Sequence, residues 1–139
     1  MTTSGKAARH VQLFALKPIV TEVRDVEVLA RRAEEVGRDG RYRESFDVAV
    51  ARALASMPVL AELCLPLVKV GGRLVAQKTA SEEVQRAGRA IEAMGGALNR
   101  VAAAPSAARG AGTVVIVDKV RPTPPAYPRR PGVPARKPL

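Results

Sequence analysis

Few side chains in this sequence could do covalent or metal chemistry. There is one histidine, His10, and one cysteine, Cys64. A His-metal cluster, a Ser-His-Asp triad, a cysteine zinc site and an internal disulfide framework are therefore excluded. No acid/base pair stands out. What remains is charge: 23 Lys+Arg against 13 Asp+Glu give a net +10. A surplus of this size favours polyanions, nucleic acid before acidic membrane. It is concentrated between Lys119 and Leu139, where Lys119, Arg121, Arg129, Arg130, Arg136 and Lys137 stand among seven prolines and no acid. Proline fixes φ and removes backbone donors, so this tail is predicted to be extended, with no helix or central strand. Arg129 and Arg130 on such an arm suit a phosphate backbone. The plainer alternative is a solubilising tail.

Three further positions share one property. The RAEE turn (Arg32 to Glu35), Arg52 and Lys78 each directly follow a predicted strand. In open α/β sheets ligands sit outside the carboxyl ends of strands, so these residues are predicted to share one sheet edge. The plainer readings are a solvated first-turn acid at Glu34 and a surface ion-pair partner at Arg52.

The elements that must position them alternate. Val26–Ala30 is a short strand signal, and Arg32–Gly37 a turn of helix closed by glycine. Phe46–Ala51 is strand-like. Pro58 opens a helical stretch in which Val59, Leu60, Leu63 and Leu67 recur at helical spacing, with Gly71-Gly72 as its stop and Pro66 able to kink it or end it early. Arg73–Gln77 reads as a strand. Thr79 and Glu82 have capping-box spacing before a helix striped by Val84, Ala87, Ile91 and Met94 and closed by Gly95-Gly96. Ala97–Ala103 is a weak strand, Ala104–Gly112 a loop, and Thr113–Val117 a strand apolar on both faces. This pattern predicts an α/β fold with a mostly parallel sheet ending in an antiparallel hairpin.

At 139 residues the chain suits one domain, able to bury roughly 68% of the surface its unfolded form exposes. With two Phe, two Tyr and no Trp the core must be aliphatic. No apolar run approaches the ~20 residues of a spanning helix, which excludes a helical membrane protein. The acid-free first 20 residues have a transit-peptide flavour but read better as a basic part of the fold. One free thiol suits a reducing cytoplasm.

The run YRESFDVAVARALASMPVLAELCLPLVKVGGRLVAQK (Tyr42 to Lys78), RRAEEVGR before it and TVVIVDKVRPTPPAYPRRPGVPARKPL after it resemble one family closely. It is the small-subunit ribosomal RNA guanine-N7 methyltransferases, or glucose-inhibited division protein B (RsmG type). The resemblance covers about residues 23–139. Its most specific parts are the RAEE turn, the ARA after FDVAV and the TPxxYPRRxGxPxxxPL tail. It divides the chain into a poorly matching basic segment (1–22), part of a methyltransferase domain (23–120) and a basic proline-rich tail (121–139). The resemblance implies a Rossmann-like class I methyltransferase fold, S-adenosylmethionine as methyl donor, and a guanine N7 of 16S rRNA in the small ribosomal subunit as acceptor. It matches Ala33, Glu34 and Arg52 to cofactor contacts. Lys78 matches a lysine ending the next strand, usually followed by Gly but here by Thr79; we place it with Arg129 and Arg130 as an RNA contact. Guanine N7 carries a free in-plane lone pair, so no general base is needed, which fits a chain without a catalytic residue or metal.

The sequence lacks the family's G-x-G-x-x-G loop and the acidic ribose ligand. The chain therefore reads as a truncated fold, with weak or no cofactor binding alone. Without the family's first two strands, Val26–Leu29 is predicted to have no neighbour and Phe46–Ala51 to be an unprotected edge. The stretch from Ser4-Gly5-Lys6 to Leu13 faintly resembles the family's helix after its second strand. Two other readings are a non-catalytic basic RNA-binding module and a structural element that completes its sheet with a partner chain.

Overall fold

The computed structural model describes residues 10–13, 26–52, 55–78, 83–103 and 112–139. The chain builds β1 (His10–Leu13), β2 (Val26–Leu29), α1 (Ala33–Val36), β3 (Phe46–Arg52), α2 (Met57–Cys64), a 3₁₀ turn (Leu65–Leu67), β4 (Val68–Lys78), α3 (Glu83–Arg86), α4 (Gly88–Ala93), β5 (Gly96–Ala103), β6 (Thr113–Lys119) and α5 (Val133–Arg136).

β3, α2 and β4 form a parallel βαβ unit, with Val48 opposite Arg73 and Arg52 opposite Gln77. Pro58 lies in the first turn of α2, where its missing N–H costs nothing. Pro66 decides between the two outcomes the sequence left open: α2 ends at Cys64, a 3₁₀ turn follows, and the backbone is extended from Val68. Gly71-Gly72 does not stop a helix. It lies inside β4, where Gly71 adopts φ +94° and the register against β3 shifts. The helix predicted after Lys78 is two short helices, α3 and α4, and its stripe of Val84, Ala87, Ile91 and Met94 is buried as expected. Thr79 and Glu82, the capping-box pair, lie outside the described residues. Gly95 (φ +87°) turns the chain from α4 into β5, and a side chain there would strike the Arg121 carbonyl.

The main sheet runs β3-β4-β6-β5. β3 and β4 are parallel, whereas β4–β6 and β6–β5 are antiparallel. The C-terminal hairpin is as predicted, but this sheet is mixed rather than mostly parallel. The hairpin folds back so that β6, its second strand, lies against β4, and both final ladders become antiparallel. The second correction concerns β2, which has a neighbour: β1 pairs with it in parallel, His10 opposite Val26. The two extended segments satisfy part of each other's backbone, and His10–Leu13 is strand rather than helix.

One face of the main sheet carries the core. Ala51, Leu74, Ala76, Val115 and Val117 pack with Met57, Leu60, Leu65, Ile91 and Met94 from the helices. The other face is open: Val48 and Val50 are exposed, and Ile116 and Val75 are half-buried. β6 is therefore buried on one face only, not on both. A smaller cluster of Val36, Tyr42 and Leu67 joins α1 to the 3₁₀ turn. No helix among the described residues is long and apolar enough to cross a membrane.

Candidate functional site

β3 and β4 run parallel and in register, which brings Arg52 and Lys78 to the same carboxyl edge. They project to opposite faces of the sheet, because Arg52 pairs with Gln77 and side chains alternate along a strand. Arg52 is exposed on the open face. Its planar guanidinium is suited to a carboxylate or phosphate. Lys78 is buried on the helix face, and its ammonium donates to the carbonyl of Ala55 at 2.6 Å. That bond ties the end of β4 to the chain entering α2.

Ala33 and Glu34 open α1 and are both buried. Glu34 Oε1 accepts from the Gly132 N–H at 3.0 Å and from Arg32 Nη2 at 3.2 Å. Burial opposes its charge, but the Gly132 N–H, its own N–H and Arg32 together hold its pKa below the ordinary glutamate range. The partners of its carboxylate are thus Arg32 and the tail, not Arg52 or Lys78. The structure joins Arg52 and Lys78 at one edge and places Glu34 beneath the tail.

The tail is ordered and folded back on the helices. Thr123 Oγ1 donates to the Met94 carbonyl at 2.6 Å, and Pro128, whose peptide bond to Tyr127 is cis, packs on Gly37. Arg43 donates to the carbonyls of Thr123 at 2.9 Å and Tyr127 at 2.7 Å. Arg129 grips the buried Glu62 carboxylate of α2: Nη2 to Oε1 is 2.8 Å, and the Arg129 N–H donates to Oε2 at 2.8 Å. Gly132, at φ +86°, turns the chain into α5, and Leu139 packs against the core. The prediction of a wholly extended tail fails here, because Pro134 sits in the first turn of α5, the one helical position that tolerates proline.

Not all six tail cations face solvent. Lys119 is fully buried and donates to the carbonyls of Leu65 at 2.6 Å and Val68 at 2.8 Å, with Glu44 Oε2 at 3.0 Å. Burial lowers its pKa and the Glu44 carboxylate only partly restores it. Arg129 is committed to Glu62. Arg121, Arg130, Arg136 and Lys137 are exposed. Glu62 and Glu44 went unremarked in the sequence, and Lys119 stood there as one more cation of the tail. Glu62 could have been found as the lone acid in the apolar helix PVLAELCL, and Lys119 as the cation ending an apolar strand. Burial pushes the Cys64 thiol up to about 12, which keeps it protonated and out of nucleophilic chemistry. No group of three or more metal-ligating side chains occurs among the described residues.

Residues 14–109 match the family model for rRNA small subunit methyltransferase G. The chain belongs to this family. It is 45% identical over 130 residues to ribosomal RNA small subunit methyltransferase G of Moorella thermoacetica, covering 91% of this chain and 54% of that protein. The protein of the same name from Roseiflexus castenholzii is 44% identical over 137 residues, 97% of this chain and 57% of its own length. This family member thus spans about half the length of the curated relatives it matches. Among solved structures it is similar to a SAM-dependent O-methyltransferase from Thermotoga maritima (14% identity, TM-score 0.43, 72% of this chain and 42% of that one), a likeness too slight to carry argument.

Proposed function

We propose that this chain supplies part of an S-adenosylmethionine-dependent methyltransferase that modifies a guanine N7 of 16S rRNA in the cytoplasmic small ribosomal subunit. The observation that carries the reading is family membership together with Arg52 at the carboxyl edge of a parallel βαβ unit. The residues present fit one side of a cofactor site. Arg52 is an exposed cation with no partner among the described residues and suits an anionic group such as the cofactor's carboxylate. Ala33 and Glu34 stand at the start of a helix that follows a strand, Glu34 with its carboxylate held in place by the tail.

The cofactor, when bound, supplies an electrophilic methyl group on sulfur. The chain's own part is positional. Arg52 binds and orients, Lys78 holds the β3–α2 connection through Ala55, and Glu62 with Arg129 fixes the tail against α2. Positioning alone is worth roughly 7–11 kcal/mol in a bimolecular transfer, and guanine N7 asks for no proton acceptor. On the RNA side we assign the exposed Arg130 to phosphate contact. Arg129 and Lys78, already engaged with Glu62 and Ala55, act by holding the surfaces that the RNA would meet.

Calorimetric titration with S-adenosylmethionine and transfer of labelled methyl to small subunits test this. We expect weak cofactor binding that Arg52→Ala reduces about tenfold, the loss of a charge-assisted hydrogen bond. RNA binding with no cofactor binding in any assembled state would sink the reading and leave the non-catalytic RNA-binding module.

A further inference from the structure

α1 is too short to hold itself. It is one turn of four residues, Arg32 before it offers no side-chain cap, and isolated helices below about 12 residues are marginal in water. Val36 anchors one side of it in the small core cluster. The other side is held by the tail, which runs antiparallel beside it. At the start of α1 the Gly132 N–H donates to Glu34 Oε1 at 3.0 Å. At its end Pro128 packs on Gly37, and the Pro128 carbonyl accepts from Arg38 Nε at 2.6 Å. Arg43 Nη1 bridges the two segments, donating to the Gly37 carbonyl at 2.9 Å and to the Tyr127 carbonyl at 2.7 Å. Between these contacts Arg129 pins the tail to Glu62 of α2.

We propose that Glu34 is a positioning residue rather than a cofactor ligand: its carboxylate clasps the Gly132 N–H, and through that clasp the tail sets the Ala33–Glu34 turn for S-adenosylmethionine. The identity of the ligand rests on the function proposed above; the clasp does not. A ligand carboxylate must present a lone pair to open space, whereas the Glu34 side chain is 5% exposed and lies between Arg32 and the tail. S-adenosylmethionine is cationic at its sulfur and its amino group, so a ligand carboxylate would act through its charge. A clasp needs only an acceptor oxygen, which glutamine also has.

Hydrogen exchange of the isolated chain reads the turn, and calorimetric titration with S-adenosylmethionine reads the cofactor side. Glu34→Ala should speed exchange of the Val36 and Gly37 amides about tenfold more than that of the β4 and β6 amides. It should also weaken cofactor binding about tenfold, the loss of one charge-assisted hydrogen bond. Glu34→Gln should recover most of both losses. Arg129→Met frees the tail at α2 without touching α1, and should reproduce the Glu34→Ala pattern. The double variant should do no worse than the weaker single one, because both break one clasp. Glu62→Gln, a milder change to the same pin, gives the same reading should Arg129→Met fail to fold. Glutamine behaving like alanine at Glu34 would make the carboxylate a charged ligand and overturn the proposal. So would additive losses in the double variant, or an undisturbed turn when the pin is broken. The expected exchange pattern with no heat of binding from any protein would uphold the clasp and count against the methyltransferase reading. Cofactor binding that no tail variant alters would do the reverse.

Discussion

The two sides of this molecule are finished to different degrees. Where the tail folds back, almost every polar group has a named partner: Glu62 with Arg129, Glu34 with Gly132, Glu44 with Lys119 and Thr123, Arg43 with four tail and turn carbonyls. On the open face and carboxyl edge, valines and arginines stand in water. Buried polar groups must be satisfied inside the fold, whereas exposed ones can wait for a partner. The family's tail motif, which in sequence looks like an RNA-binding arm, is in large part a structural strap. The side that looks ordinary in sequence is the one left available.

The sharpest way to break this contrast is to leave one strap charge without its partner. Glu44→Ala strands the Lys119 ammonium, whose side chain is fully buried, on two carbonyls. Removing one member of a buried ion pair costs about 3 kcal/mol or more. Urea unfolding should show a loss of that order, and a loss under about 0.5 kcal/mol, the level of an ordinary surface change, would mean the strap contributes little. Arg129→Met leaves the Glu62 carboxylate without its bidentate partner, and about 2 kcal/mol should go with those charge-assisted bonds. The same change should expose the Arg130–Leu139 segment to protease while β3 to β6 stay protected. Uniform loss of protection would show that strap and sheet are not separable.

Much of the sheet was legible because its signals are local. Pro58 and Pro66 bracket α2, Gly95 closes the buried stripe, and Thr113–Val117 stands out by β-branching alone. The length of β4 was not, because Gly71-Gly72 is a helix stop by rule and only the register against β3 shows it lying within a strand. The tail was misread for a physical reason. Proline and arginine content describes what a segment cannot do by itself, and its order comes from Glu62, Glu34 and Glu44, between 67 and 98 residues away in sequence. Of the candidate site, the Arg52–Lys78 edge followed from strand alternation, while the engagement of Glu34 by Gly132 depended on a contact no spacing encodes.

Acid should separate the two sides with a smaller effect. Burial pushes the Glu34 and Glu44 carboxyls up, but the N–H groups of Gly132 and Thr123 lead the contacts that hold both below the ordinary value of 4.5. A depressed folded pKa stabilises above the unfolded value and loses that stability as pH falls through the folded one. Thermal melts should therefore be flat from neutrality to about pH 5 and fall below 4.5. Glu34→Gln should remove part of that acid slope. Equal slopes in the two proteins would show that the contact with Gly132 carries no proton linkage.

The smallest effect on stability belongs to the exposed arginines. Arg130→Ala should change unfolding free energy by no more than about 0.5 kcal/mol, as exposed positions usually do. RNA affinity reads it differently. Each phosphate contact contributes roughly 0.7 to 0.9 to the slope of log K against log salt, so losing Arg130 should flatten that slope by nearly one contact. Arg129→Ala, by contrast, should move stability more than the slope, since its guanidinium is already held by Glu62. If the two variants changed the slope equally, Arg129 would have to leave Glu62 to meet RNA, and the strap would be a moving part rather than a fixed one.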